Sequence, residues 1–183
     1  TQSLRSEART STGQASAAVM WDLQSFFDTV DHDLLWQKGV AAGFPLPILR
    51  LALSTYAGPR ALQTRAGRCQ SVCPTRGVAA GCSLAKALVH LYYLADLDAF
   101  IARNPSKCVQ LDVYVDDITI SVYGPDDSTV FHLLILAAED MARVIHDQLR
   151  CSIALSKAAV LASSDALLGR LREHLGTLAG NET

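Results

Sequence analysis

Charge is scarce in this sequence and nearly balanced: 19% of its 183 residues are Asp, Glu, Lys or Arg, and the formal net charge is −2. That excludes the strongly basic footprint of a free-standing nucleic-acid-binding module. Acids are missing altogether between Asp33 and Asp96, a stretch that nevertheless holds Arg60, Arg65, Arg68 and Arg76. Either a solvated face or a phosphate-contacting patch accounts for such a cluster. Cysteines are few and odd in number, and no second Cys/His pair at zinc-like spacing follows Cys69 and Cys73. A disulfide framework and a zinc finger are therefore not expected, and reduced thiols in an intracellular protein are. No apolar stretch is both long enough and free enough of charge to cross a bilayer, and no signal peptide opens the chain, so no membrane partner is expected. An initiating methionine is also missing, as in a piece of a longer protein. Internal repeats and low-complexity segments are absent.

Half the residues are hydrophobic, enough for one domain with a sizeable core. Residues 1–16 are small and polar and read as a flexible lead-in. Ala17-Ala18-Val19-Met20-Trp21 reads as a buried strand ending at Asp22. Asp31-His32-Asp33 supplies caps for a helix that Gly43 stops, and residues 45–57 carry apolar side chains at helical spacing behind an early proline. Pro59 to Pro74 reads as a hairpin turning near Ala66-Gly67. A small-residue loop from Gly77 to Gly81 leads into a helix from about Ser83 to Ala102, with Leu84, Leu88, Leu91, Leu94 and Leu97 as its core stripe. Pro125-Asp126-Asp127-Ser128 turns and caps a helix through about Leu149. Cys151 to Leu155 and Ala158 to Ala162 read as short strands flanking Lys157, and a last amphipathic helix spans roughly Asp165 to Leu178.

Between these lies Tyr114-Val115-Asp116-Asp117, flanked by Val109–Val113 and Ile118–Tyr123, two runs rich in β-branched and aromatic residues. Two adjacent aspartates suit a hairpin tip with solvated side chains. They equally suit a metal site, because crowded carboxylates need a cation to offset their repulsion. The order strand, helix, strand, strand, helix, strand is the split βαβ, ferredoxin-like pattern. It predicts an α+β fold with an antiparallel sheet and helices packed on one face. Neighbouring strands lie about 4.8 Å apart, so Asp22 and Asp116 could share one metal ion.

With these acids together, the chain resembles the palm of reverse transcriptases, nearest to those of non-LTR retrotransposons, group II introns and retrons. The resemblance covers about residues 17–163 and rests on four stretches in the family's order. These are Asp22-Leu23-Gln24-Ser25-Phe26-Phe27-Asp28 through Leu35, then Arg76-Gly77-Val78-Ala79-Ala80-Gly81-Cys82-Ser83-Leu84, then the YVDD tip, then Leu155-Ser156-Lys157. It implies an RNA-directed DNA polymerase that joins dNTPs to a DNA primer on an RNA template. Two Mg²⁺ ions, replaceable by Mn²⁺, would be held by Asp22, Leu23, Asp116 and Asp117. Lys157 would protonate the leaving pyrophosphate. Phe27, Ala80, Gly81 and Lys157 would face the nucleotide, while Tyr114, Gly77, Arg60, Arg65, Arg68 and Arg76 would face nucleic acid.

Phe27 stands where the family carries an aromatic that blocks a ribose 2′-hydroxyl, and Val115 stands where related RNA replicases carry glycine; both favour DNA synthesis. The pattern is broken at Ala79-Ala80, where the family commonly has Pro-Gln, and at Ala85-Lys86 in place of Ser-Pro. An RNA-dependent RNA polymerase palm and a decayed palm serving as an RNA-binding scaffold are the alternatives. The resemblance further implies a partial fingers insertion at about 58–76, and residues 164–183 as a helix and tail too short for a thumb.

Overall fold

The computed structural model describes residues 14–61 and 63–178. In chain order the elements are β1 (Ala15–Asp22), α1 (Phe26–Thr29), α2 (His32–Ala41), α3 (Leu46–Tyr56), β2 (Gln63–Thr64), β3 (Gly67–Arg68), α4 (Ala85–Arg103), β4 (Val109–Tyr114), β5 (Asp117–Gly124), α5 (Asp127–Arg143), β6 (Ala159–Ala162) and α6 (Asp165–Leu178). They form two compact units. One contains Asp96–Gln148 with the segments up to Gln24 and from Ser152; the other contains Ser25–Ala95 and Leu149–Cys151.

The first unit is built on an antiparallel sheet of order β4-β5-β1-β6. Side chains alternate across a strand, so Ala17, Val19 and Trp21 of β1 and Ile118, Ile120 and Val122 of β5 are buried together. Helices α5 and α6 cover that face, with Leu134, Met141, Leu167 and Leu171 fully buried. Asp126 starts α5 as expected, its carboxylate accepting from the Thr129 amide at 2.8 Å. The opposite face carries Met20 and Asp22, Thr119 and Asp117, and Asp112 and Tyr114, matched by strand register. This is the α+β arrangement expected, with helices on one face only.

The second unit packs α1, α2, α3 and the start of α4 around Phe26, Leu35, Leu49, Leu88 and Tyr92. Helices α2 and α3 approach closely at Gly39, where a Cβ would fall 2.4 Å from Leu49 Cδ2. A larger residue there would require the Leu49 side chain to shift. The β2–β3 hairpin turns at Arg65-Ala66 and is extended by the Arg60–Val72 bridge.

Several expectations need correction. The sheet claims Ala15 and Ser16 from the expected lead-in, while residues 1–13 lie outside the described residues. The stripe on α4 holds at Leu88 and Leu97, which are buried, but Leu94 is 55% exposed, and Ala85, Val89, Tyr92 and Tyr93 join the inward face. The two tyrosines bury more area than a leucine at position 94 would. Cys151 to Leu155 is no strand. It makes one bridge, Ile153 to Leu23, and then coils into a 3-10 turn over Leu155–Lys157, so too few residues stay extended to build a ladder; Arg150, with a left-handed φ of 52°, precedes it. The helix expected through Leu149 is α-helical to Arg143 and π-helical over Val144–Gln148. Helix α1, unanticipated, follows a left-handed Ser25 (φ 47°). Among the described residues no helix is long and apolar enough to cross a membrane.

Candidate active site

In the first unit, Tyr114 pairs with Asp117, so the hairpin turns on Val115-Asp116 alone. Val115 has φ 61°, a left-handed conformation that a β-branched residue adopts only under strain. The tip is thereby tight: Asp116 sits in the turn and Asp117 opens β5. Asp117 lies directly across from Asp22 in the β1–β5 register. The Leu23 amide donates to the Asp116 carbonyl at 3.0 Å, fastening the tip to the end of β1. Leu23 itself is buried, so it could offer a cation only its carbonyl oxygen. Tyr114, 74% exposed, flanks Asp117 on the other side.

The segment after Cys151 runs beside β1. The Gln24 amide donates to Ser152 O, and the Ala154 amide to Asp22 O, both at 2.8 Å. The 3-10 turn that follows brings Lys157 Nζ to 2.5 Å from Asp22 Oδ2. Its hydrogen bond to Asp22 and the Asp22 charge, followed by the charges of Asp116 and Asp117, push the Lys157 ammonium up from its ordinary pKa. Asp22 holds the Lys157 ammonium directly, and the charges of the neighbouring Asp116 and Asp117 add to its pull. All the donors are carboxylate oxygens, which suit a hard divalent ion, and the ammonium they already hold shows that a positive charge is favoured there. Among the described residues no three His, Cys, Asp or Glu side chains converge as a ready-made metal cluster; the Asp22 carboxylate meets the Lys157 ammonium instead.

The second unit holds the remaining candidates. Helix α1 buries Phe26 and leaves Phe27 half-buried, so the core-packing role falls to Phe26. The Phe27 carbonyl accepts from the Val78 amide at 2.7 Å, and the Gly77 amide donates to Val30 O at 2.8 Å. Gly77 is buried with φ 98°, and a Cβ there would come 3.4 Å from Asp28 O. It is the left-handed φ, rather than lack of room, that calls for glycine there. Ala80 and Gly81 are exposed, with open space around Gly81 (φ 85°). Arg60, Arg65 and Arg68 are exposed on the hairpin, whereas Arg76 lies 3.8 Å from Asp31.

Asp31 was legible only as a helix cap, and the structure shows more. Its Oδ1 accepts from the Asp33 and Leu34 amides at 3.0 Å each, and its Oδ2 accepts from Arg150 at 3.0 Å. Burial raises this carboxyl's pKa, but the Leu34 amide and Arg150, with Arg76 behind them, outweigh burial and hold it below the usual range. Next to it, the buried Tyr92 hydroxyl donates to Leu149 O at 2.7 Å. One carboxylate therefore joins the start of α2, the Arg76 loop and the Leu149–Cys151 segment.

The profile of the family described as Reverse transcriptase (RNA-dependent DNA polymerase) matches residues 2–169. Solved structures similar to this chain include apo telomerase from Candida tropicalis truncated from its C-terminal domain. It has 10% identity and a TM-score of 0.68 over 89% of this chain and 34% of that one. Telomerase from Candida albicans in complex with a TWJ fragment of telomeric RNA is also similar. It has 15% identity and a TM-score of 0.65 over 89% of this chain and 30% of that one. The chain thus spans about a third of the length of these structures, and at such identity they establish the fold alone. No curated protein matches it. The profile match over most of its length shows that the chain belongs to the reverse transcriptase (RNA-dependent DNA polymerase) family.

Proposed function

We propose that the chain is the palm of an RNA-directed DNA polymerase from a retroelement, with residues 17–163 as the palm and 58–76 as a hairpin on its fingers side. The observation that carries this reading is the pairing of Asp22 with Asp117 at one sheet edge, fastened by the Leu23–Asp116 hydrogen bond. Asp22, Asp116 and Asp117, with the Leu23 carbonyl, would hold two Mg²⁺ ions, or Mn²⁺ in their place. Bound divalent ions acidify a primer 3′-hydroxyl and neutralise charge on the departing pyrophosphate. The chain's own residues do the rest. The paired strands hold the acids rigid, and Lys157 supplies a proton to the leaving group. Phe27 limits room at the sugar 2′ position, Ala80 and Gly81 face the nucleotide, and Tyr114 supports the primer end. The exposed Arg60, Arg65 and Arg68 meet template phosphates.

Primer extension on an RNA template, by the reading frame that carries this chain, tests the proposal. The expected result is dNTP incorporation with ribonucleotides rejected. Phe27→Ala is expected to raise ribonucleotide use by about tenfold to a hundredfold. Unchanged sugar choice in Phe27→Ala would favour an RNA polymerase. Ala80 favours a second reading, a scaffold that has lost catalysis, because it offers no side-chain hydrogen bond to a nucleotide. That reading predicts RNA binding with no incorporation of either sugar.

The 183-residue chain by itself, at net charge −2, neutralises few phosphates. Its Kd for primer–template at physiological salt is expected to be no tighter than about 1 µM, in the range of non-specific contacts. Fluorescence anisotropy measures this directly, and nanomolar binding by the chain alone would contradict it.

A further inference from the structure

Asp22 is recessed, with 17% of its side chain exposed, whereas 65% of the Lys157 side chain that meets it lies in solvent. The lysine rides on the short turn Leu155–Lys157, none of whose residues is buried. It can therefore swing away without disturbing a core. Its ammonium lies 2.5 Å from Asp22 Oδ2, and Asp117 stands directly across from Asp22 in the strand register. Carboxylates crowded at one sheet edge repel one another, and a cation among them offsets that repulsion. A divalent ion seeks the same oxygens with twice the charge. An ammonium on Asp22 Oδ2 therefore competes with a divalent ion for that oxygen.

Building on the metal-site reading above, we propose that Lys157 is a displaceable internal counter-ion: it occupies the Asp22 carboxylate while the site is empty of divalent cation and leaves it when one binds. Lys157 then lowers the affinity of the site for divalent ions. It also keeps the isolated acids from repelling one another. Its ammonium becomes free for a departing pyrophosphate only once the site is loaded, which couples the proton donor to cation binding.

Mn²⁺ is the probe, with free ion followed by electron paramagnetic resonance during titration of the chain. Lys157→Met is expected to bind Mn²⁺ more tightly than the parent by about threefold to tenfold, the scale of one exposed charge pair. Lys157→Arg, which keeps the charge, should remain near the parent. The gain should vanish in Lys157→Met/Asp22→Asn. Far-UV circular dichroism checks folding, and Lys157→Gln serves as a second neutral variant. Unchanged or weaker Mn²⁺ binding in both neutral variants, with Asp22→Asn still abolishing binding, would overturn the counter-ion role and leave the metal site standing. No Mn²⁺ binding by parent or neutral variants would overturn both.

Discussion

Asp116→Asn/Asp117→Asn is expected to reduce nucleotide incorporation on an RNA template by about three orders of magnitude or more, without unfolding the protein. Asn keeps the size of Asp but removes the negative charge that offsets bound divalent ions. Electrostatic stabilisation of a transferring phosphoryl group is commonly the largest catalytic contribution. Folding should survive because Asp117 is exposed and the fastening hydrogen bond uses the Asp116 main-chain carbonyl. The turn should be unaffected by the change, since Asn tolerates tight turns as well as Asp does. Single-turnover primer extension measures the effect, with a thermal melt as the control for folding. Extension that survives the double substitution would remove these residues from the active site.

The second large effect concerns stability. Asp31→Ala removes a helix cap and a buried ion-pair acceptor together, and is expected to cost about 2–4 kcal/mol. For a chain of this size that corresponds to a melting temperature lower by roughly 5–12 °C. Asp31→Asn keeps an oxygen for the Asp33 and Leu34 amides and loses only the charge. Its cost is expected to be about 1 kcal/mol, because Arg76 and Arg150 are half-exposed and screened. The pH dependence separates the two contributions. The folded pKa of Asp31 lies below the ordinary 3.8 of an aspartate. Its charge therefore stabilises the fold fully above that value and progressively less as pH falls below it. Wild type should lose more stability than Asp31→Asn between about pH 4 and pH 2. At the other extreme, burial pushes Tyr92 up to about 12 from 10.0. The neutral hydroxyl stabilises the fold fully below pH 10, and that contribution is lost as pH rises towards 12. Denaturant melts across both ranges check these signs. Equal acid sensitivity of wild type and Asp31→Asn would mean that the Asp31 charge contributes nothing.

Much of the fold was legible because strands and caps are local patterns. Ala17–Trp21 is a short apolar run and Ile118–Tyr123 is rich in β-branched and aromatic residues, so both strands were legible, whereas which of their side chains face inward came from the structure. Asp31 and Asp126 precede apolar runs and cap the helices as expected. The α4 stripe held at Leu88 and Leu97 and failed at Leu94 for a reason that periodicity cannot see. Leucines at 84, 88, 91, 94 and 97 and aromatics at 92 and 93 define competing faces of one helix, and the choice depends on what packs opposite. Arg150 gave no sign of its left-handed backbone, since only Gly, Asn or Asp advertises that conformation. Phe26 and Phe27 are adjacent and alike in the sequence. The short helix α1 decided which is core and which is half-open.

By itself the sequence determined the kinds of chemistry available: carboxylates at 22, 116 and 117, a lysine at 157, an aromatic at 27, and the order of strands that carries them. Tertiary structure alone decided who meets whom. Lys157 reaches Asp22 across 135 positions of chain, and Arg150 reaches Asp31 across 119. Local propensity acts within a few residues, whereas ion pairs at such separation exist only after the sheet and the helix packing have closed the chain around them.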